Sequence, residues 1–173
     1  MEKNKQKIYK AIINTPLGDA IACSTLKGIC FIDFVDRKSL DFLIKVMIRE
    51  LNGEIIEKRN SLIEELEKEI NEYFLGKRKE FTLSLILSGT DFQKEVWQEL
   101  LKIPYGEKIT YLEEAISMNR KKSVRAVANA NGKNKLSILI PCHRVVGSGG
   151  KLGGYGGGID KKKYLLDLEN ENK

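Results

Sequence analysis

Histidine and cysteine are scarce in this chain, which has one histidine, His143, and three cysteines among its 173 residues. The cysteines show no Cys-x-x-Cys spacing, so the sequence predicts neither a disulfide framework nor a zinc ribbon. A zinc site would have to combine Cys23 and Cys30 with carboxylates. Both cysteines lie in β-like apolar runs, so we expect them in the core and predict no metal and no organic cofactor.

Long hydrophobic runs are absent as well. No apolar segment approaches the ~20 residues that span a bilayer, and Met1–Lys5 leads into no long apolar region, which argues against a signal peptide. Apolar residues make up 42% of the chain and charged residues 31%, as is usual for a globular protein with one core or two small domains. We therefore expect a cytoplasmic protein, or a nuclear one if the cell has a nucleus.

Positive charge is unevenly distributed along the chain, whose net charge is +6. Residues 1–86 hold 15 Lys and Arg against 14 Asp and Glu, whereas residues 87–173 hold 15 against 10. The basic excess of the second half is typical of a domain that meets a polyanion such as nucleic acid.

Residues 1–86 are predicted to form a structural α/β domain. Apolar runs within residues 7–34 predict three short strands, and the turn signals at Thr15–Gly18 and Lys27–Gly28 favour an antiparallel meander. Apolar residues at helical spacing predict two helices, at about 39–51 and 61–74, and Phe81–Ile86 could form a short strand. This half shows no catalytic constellation.

Residues 87–173 are predicted to be mainly helical. Helices should begin at Thr90 or Asp91, at about Leu112, at Val124 and at about Asp160. The middle two are short and close together, and the second of them is rich in small residues, with Lys and Arg at its start. This spacing is similar to a helix-turn-helix, although many helical hairpins that bind no DNA share it.

The tetrad Pro141-Cys142-His143-Arg144 carries the clearest chemical signal. A free thiol with a pKa of about 8.5 is mostly protonated at neutral pH, so a neighbouring base or cation is needed to make it a nucleophile. Most cysteines are small buried hydrophobes, but here the only histidine and an arginine adjoin Cys142 and a glycine-rich loop follows. In an extended segment the side chains of Cys142 and His143 would point to opposite faces and would not bond directly.

Blocks of sequence across residues 89–169 resemble the O6-alkylguanine-DNA alkyltransferases. The tetrad is highly specific for that family, and the order and spacing of the other blocks agree. The blocks are Gly89–Trp97, Ile103–Gly106, Tyr111, Val124–Val127, Asn134, Pro141–Val146, Gly154–Gly158 and Tyr164–Leu166. The resemblance implies a DNA-binding, alkyl-acceptor domain at 87–173. It also implies a ribonuclease-H-like layout for the three-stranded antiparallel sheet and helices of the structural domain at 1–86.

The family's activity is direct DNA repair, so the resemblance implies transfer of an alkyl (methyl) group from O6 of guanine in DNA to Cys142. The thioether product is inert, which makes the transfer stoichiometric and irreversible and the protein a single-turnover methylated-DNA–protein-cysteine S-methyltransferase. His143 would deprotonate the thiol through a water, and Glu169 would orient the imidazole. Tyr111 would donate a proton to the departing guanine, and Asn134 would brace the loop before the cysteine.

The resemblance also implies that the damaged nucleotide is flipped out of the duplex, because a stacked base cannot reach a buried thiol. Arg125 would fill the space that the base vacates. The other residues implied for DNA contact are Ala126, Ala128, Asn129, Lys121 and Lys122. Those implied for the substrate pocket are Val145, Tyr155, Gly156, Gly157 and Trp97. The implied partner is double-stranded DNA carrying O6-alkylguanine, and we expect a monomer that uses no membrane.

Four positions depart from the family's usual pattern. Leu112 and Lys135 stand where a glycine and a proline are usual, Asn129 is larger than usual, and Gly156 replaces a serine of some members. These changes affect loop rigidity, groove fit and substrate range, but none removes an essential group.

Two other classes of function compete with this interpretation. A Cys–His hydrolase of the papain type needs a histidine distant in sequence from its cysteine, whereas His143 adjoins Cys142. A DNA-binding regulator or an alkyltransferase-like lesion sensor needs no acceptor, and such sensors lack the cysteine. A benzylated guanine base separates these classes, because only an alkyltransferase keeps the added mass.

Overall fold

The computed structural model describes residues 4–173, so Met1, Glu2 and Lys3 of the terminal segment considered above lie outside the described residues. The chain divides into two compact units, Met1–Gly89 and Thr90–Lys173. Within residues 4–173, no helix is both long enough and apolar enough to cross a membrane.

The N-terminal unit contains a four-stranded sheet and two helices. The strand order is β3-β2-β1-β4, in which β2 pairs antiparallel with β1 and with β3, and β4 pairs parallel with β1. The elements are β1 (Gln6–Ile13), β2 (Ala20–Ser24), β3 (Ile29–Phe34), α1 (Leu40–Glu50), β4 (Gly53–Ile56) and α2 (Ser61–Phe74). The antiparallel meander is as predicted, and both helices lie where their apolar spacing indicated.

The prediction of a three-stranded, wholly antiparallel sheet was wrong, because β4 is a fourth strand. β4 is four residues long and pairs with β1, which is distant in sequence, so no hairpin signal marks it. A parallel pair needs a crossover connection, and α1 lies within this one. The strand considered at Phe81–Ile86 is reduced to one isolated bridge between Ile29 and Leu85.

Cys23 and Cys30 lie in the core of this unit, as predicted. Both are fully buried, together with Ile8, Phe31 and Met47. Burial raises the pKa of both thiols, that of Cys30 to about 12. They are therefore protonated at neutral pH and lack the thiolate that reactivity requires.

The C-terminal unit is mainly helical, with one short parallel strand pair. Its elements are α3 (Asp91–Leu100), β5 (Ile109–Thr110), α4 (Tyr111–Ser117), α5 (Val124–Asn131), β6 (Val145–Val146) and α6 (Ile159–Asn172), with 3₁₀ turns at Lys121–Ser123, Cys142–Arg144 and Ser148–Gly150. Capping boxes at Thr90 and Thr110 begin α3 and α4. Helices α4 and α5 pack together as the predicted helical hairpin.

Trp97 joins α3 to α5 in the core of this unit. Its side chain is buried, and its indole Nε1 donates a hydrogen bond to the Ala130 carbonyl at 2.9 Å. Lys135 lies over the ring, with Nζ 5.0 Å from the ring centroid. The buried lysine thus makes a cation–π contact at one of the positions that depart from the pattern of the resemblance.

Candidate active site

Cys142 begins a 3₁₀ turn at the end of a buried loop. All residues of that loop, 135–140, are buried. Within it Ile138 has a φ of 73°, a left-handed conformation that is strained for a β-branched residue. Such strain persists only where the surroundings hold the backbone in place, and it is common at functional sites.

The side chain of Asn134 holds this loop together. Its Nδ2 donates to the Ile140 carbonyl at 2.9 Å and lies 3.3 Å from the sulfur of Cys142, and its Oδ1 accepts from the Leu136 N–H at 2.9 Å. One amide therefore ties both ends of the loop to the thiol, at the position where the family resemblance implies a brace.

His143 and Glu169 form a buried pair. The imidazole Nε2 lies 2.7 Å from Glu169 Oε1. A carboxylate accepts, so this contact places the proton on Nε2 and the lone pair on Nδ1. Nδ1 is buried and has no hydrogen-bond partner among residues 4–173. The imidazole therefore makes no direct bond to Cys142, although the segment is a 3₁₀ turn rather than the extended strand considered above.

Arg144 completes the network around Glu169. Its Nε and Nη2 each lie 2.9 Å from a carboxylate oxygen of Glu169, and its Nη1 donates to the Ile103 carbonyl at 2.6 Å. Burial favours the protonated carboxyl, but the hydrogen bonds from His143 and Arg144 outweigh it and lower the pKa of Glu169 to about 2. Burial lowers the pKa of His143 against the opposing effect of Glu169. At neutral pH the network thus holds a carboxylate, a guanidinium and a neutral imidazole that can accept a proton.

Gly106 allows a loop to approach this network closely. Its N–H donates to Glu169 Oε2 at 3.2 Å, and its φ is +79°. A Cβ at this position would lie 2.7 Å from the Cβ of Lys173. Glycine is therefore required both by the backbone conformation and by the space.

Tyr111 is the first residue of α4, where the Thr110 cap holds it. The Thr110 hydroxyl accepts from the Glu113 N–H at 3.1 Å, which begins the helix at the tyrosine. The Gly153 backbone packs against the phenol, since a Cβ there would lie 3.0 Å from the ring. Burial raises the pKa of Tyr111, and Cys142 and Glu114 add to this effect. The phenol is therefore a proton donor at neutral pH.

A cavity of about 300 Å³ joins Cys142 to Tyr111. It is lined by Tyr111, Ala128, Asn129, Asn131, Gly132, Cys142, Gly154 and Tyr155. Of the residues predicted for the pocket, Tyr155 is in this wall. The other four do not line the cavity. Val145 is buried in β6, and Gly156 and Gly157 follow Tyr155 in the chain. Trp97 lies in the core, where its indole donates to the Ala130 carbonyl of α5. A larger open groove in the N-terminal unit, of about 1060 Å³, contains no cysteine or histidine.

Lys162 is a candidate functional residue that the sequence reasoning missed. It is buried on α6, its Nζ donates to the Val145 carbonyl at 2.5 Å, and Nζ lies 5.6 Å from the centroid of the Tyr111 ring. Burial lowers the pKa of Lys162, and the nearby Cys142 opposes that shift. Its spacing of three residues from the buried Leu165 places it on the buried face of α6, and this was the available signal. The lysines on either side, Lys161 and Lys163, make the segment resemble a solvent-exposed charged stretch instead.

The residues implied for DNA contact lie on α5 and on the turn before it. Those that are exposed are Lys121, Lys122, Arg125, Ala126 and Asn129, and Ala128 is half-buried. Ala128 and Asn129 also line the cavity. The exposed side of α5 therefore adjoins the cavity that contains Cys142.

Comparison with known proteins agrees with this geometry over both units. A family model described as 6-O-methylguanine DNA methyltransferase, DNA binding domain, matches residues 91–171, and one described as 6-O-methylguanine DNA methyltransferase, ribonuclease-like domain, matches residues 8–87. A methylated-DNA–protein-cysteine methyltransferase of Methanosarcina barkeri is 42% identical over 95% of this chain and 99% of its own length. An inducible one of Bacillus subtilis is 38% identical over 98% and 94%. The crystal structure of Mycobacterium tuberculosis OGT in complex with DNA aligns with a TM-score of 0.80 at 34% identity, covering 96% of this chain and 94% of that one. The chain belongs to the 6-O-methylguanine DNA methyltransferase family.

Proposed function

We propose that this protein repairs DNA directly, by moving an alkyl group, in the first place methyl, from O6 of guanine to the sulfur of Cys142. The observation that carries the proposal is the cavity of about 300 Å³ that is lined by both Cys142 and Tyr111, beside the exposed side of α5. The similarity to the protein-cysteine methyltransferases of Methanosarcina barkeri and Bacillus subtilis supports it.

The reaction begins with loss of the thiol proton. The open lone pair on His143 Nδ1 accepts that proton through a bridging water, and Glu169, which accepts from Nε2 at 2.7 Å, stabilises the resulting imidazolium. The Asn134 amide, 3.3 Å from the sulfur, and the buried Lys162 cation favour the thiolate electrostatically.

The thiolate then attacks the methyl carbon in line with the carbon–oxygen bond. The new bond joins sulfur to the methyl group, the old bond to O6 breaks, and its electron pair stays on guanine. The phenol of Tyr111, protonated because its pKa is raised, supplies a proton to the base. The thioether that remains on Cys142 is not cleaved by this site, so each molecule reacts once.

Double-stranded DNA carrying O6-alkylguanine is the proposed partner. Arg125 is exposed in the first turn of α5, where it can enter the stack as the damaged nucleotide leaves it. Lys121 and Lys122 contact phosphates, which positions the protein without reading sequence. The similarity to Mycobacterium tuberculosis OGT, whose crystal structure is a complex with DNA, supports this partner.

We further infer that residues 1–86 are a structural domain with a ribonuclease-H-like layout and that residues 87–173 bind DNA and accept the alkyl group. The strand order β3-β2-β1-β4, with β4 parallel to β1, supports that layout. A cytoplasmic location and a monomeric state stay predictions from the sequence.

Intact-protein mass measurement with a duplex containing O6-methylguanine tests the proposal. We expect one added methyl per molecule, mapped to Cys142 by peptide analysis and absent from Cys142→Ala. Cys30→Ala, which removes a buried thiol of the N-terminal unit, is the control and should still gain the methyl. Binding without any mass change would support a lesion sensor instead, and a methyl that is gained and then released would support a hydrolase.

A further inference from the structure

Glu114 is a fully buried carboxyl on α4 that contacts Asn131, a residue of the cavity lining. Its Oε2 accepts a hydrogen bond from Asn131 Nδ2 at 2.7 Å, and no positively charged side chain pairs with it within residues 4–173. Two atoms of this pair, Glu114 Oε1 and Asn131 Oδ1, are buried without a hydrogen-bond partner in the described part of the chain. Buried acceptors without donors are costly, so both need an explanation.

One proton accounts for both atoms. A carboxylic acid and a primary amide are planar groups that can join through two hydrogen bonds of opposite direction. A proton on Oε1 would allow Glu114 to donate to Asn131 Oδ1 while its Oε2 accepts from Nδ2 at 2.7 Å. We infer that Glu114 acts in its protonated form as a positioning residue for alkyl transfer, by holding Asn131 in a doubly hydrogen-bonded pair. This inference rests on the proposed function.

The surroundings of Glu114 favour the neutral acid. Burial raises its pKa to about 7, against the hydrogen bond from Asn131, and the negative charge of Glu99 on α3 adds to the rise. Of the other elements packed on α4, β5 and β6 carry no charged residue. The cations of α5 and of the neighbouring 3₁₀ turn are exposed, and they are Arg125, Lys121 and Lys122. On α4 itself the other titratable groups are Tyr111 and the exposed Glu113, and the charge of Glu114 adds to the rise in the pKa of Tyr111.

The pair is connected to the reacting groups through Asn131. That residue lines the cavity, and its main-chain carbonyl accepts from the Asn134 N–H at 3.2 Å. Asn134 in turn lies 3.3 Å from the Cys142 sulfur, and Tyr111 begins the helix that carries Glu114. Ionisation of Glu114 would replace one hydrogen bond by repulsion between two acceptors and would displace Asn131 from the cavity wall.

Two substitutions separate the roles of the proton and of the charge. Glu114→Gln keeps both hydrogen bonds, because an amide N–H replaces the acid O–H, but it cannot ionise. Glu114→Leu removes both hydrogen bonds. Glu113→Gln, at the exposed neighbouring carboxyl, is the matched control, since glutamine preserves the capping box with Thr110.

Single-turnover methyl transfer to Cys142, followed by mass from about pH 5.5 to about pH 8.5, tests the inference. We expect Glu114→Gln to match the native rate at low pH and to exceed it about tenfold at pH 8, as a group with a pKa near 7 requires if only its protonated form is competent. Glu113→Gln should follow the native profile. Glu114→Leu should be slower at every pH.

Superimposed profiles of the native protein and Glu114→Gln would overturn the positioning role and leave the proposed function intact. Absence of methyl transfer by the native protein at any pH would instead overturn the proposed function. The buried pair is then tested by thermal unfolding. The native protein should lose stability relative to Glu114→Gln as the pH rises from about 4.5 to about 7, with no further loss at higher pH. A difference that stays constant across that range would show that the pKa of Glu114 is not raised in the folded protein.

Discussion

Replacing Glu169 by glutamine removes one negative charge from a buried network and keeps the shape of the side chain. In the native protein this carboxylate accepts from His143 Nε2 at 2.7 Å and from Arg144 Nε and Nη2 at 2.9 Å each. A glutamine has one accepting oxygen, and its amide directs N–H donors at groups that are themselves donors. The Arg144 guanidinium is then left buried without a counterion.

The pKa of Glu169 sets the size of the effect. Burial acts to raise it, but the hydrogen bonds from His143 and Arg144 bring it to about 2, against an ordinary value of 4.5. At ~1.36 kcal/mol per pKa unit, this difference corresponds to about 3 kcal/mol. Because the folded-state pKa is depressed, this stability is present above about pH 4.5 and is lost as the pH falls toward 2. We expect Glu169→Gln to lower the free energy of unfolding by about 3 kcal/mol at pH 7.

Fluorescence of Trp97 during urea unfolding measures this loss, since it is the only tryptophan and lies buried in the C-terminal unit. Glu171→Gln, at an exposed position of the same helix, is the matched control and should stay within about 0.5 kcal/mol of the native protein. Methyl transfer by Glu169→Gln should be about 100-fold slower, because the imidazole loses the acceptor that orients it. A stability loss below about 1 kcal/mol, or a rate equal to that of the control, would refute the reasoning.

Three further substitutions test other parts of the site. Asn134→Ala removes the amide beside the sulfur, so alkylation of Cys142 by iodoacetamide, followed by mass, should slow. The free energy of unfolding should fall by about 1–3 kcal/mol, and an unchanged alkylation rate would contradict a role at the thiol. Arg125→Ala should slow repair in duplex DNA about tenfold or more and leave the reaction with the free base O6-benzylguanine unchanged, because only the duplex reaction includes flipping. Equal slowing of both reactions would exclude a role of Arg125 in flipping. Lys162→Met keeps a buried aliphatic side chain but removes the cation that lies 5.6 Å from the centroid of the Tyr111 ring, so single-turnover methyl transfer should slow about tenfold. A rate equal to that of the native protein would show that Lys162 has only a structural role.

The parts of the fold that the sequence predicted are those with local signals. Thr90 and Thr110 precede apolar residues at helical spacing and form capping boxes with residues three positions on, which is why α3 and α4 begin close to where expected. β1, β2 and β3 are consecutive and joined by short turns, so their pairing is visible in one stretch of sequence. β4 has no such signal, because its pairing with β1 depends on packing between segments that are distant along the chain.

The same contrast applies to the site. Cys142 and His143 were singled out because they are adjacent, whereas the bidentate contact of Arg144 with Glu169 joins residues that no spacing rule connects. Glu114 is the clearest case, since it lies between the exposed Glu113 and the buried Ala115 and resembles any solvated helix charge. Its burial is tolerable only because α5 brings Asn131 to its oxygen at 2.7 Å. Local rules fail at such positions because a second helix supplies the partner, and a buried carboxyl that contacts the lining of the cavity containing Cys142 is where a chemical role should be sought.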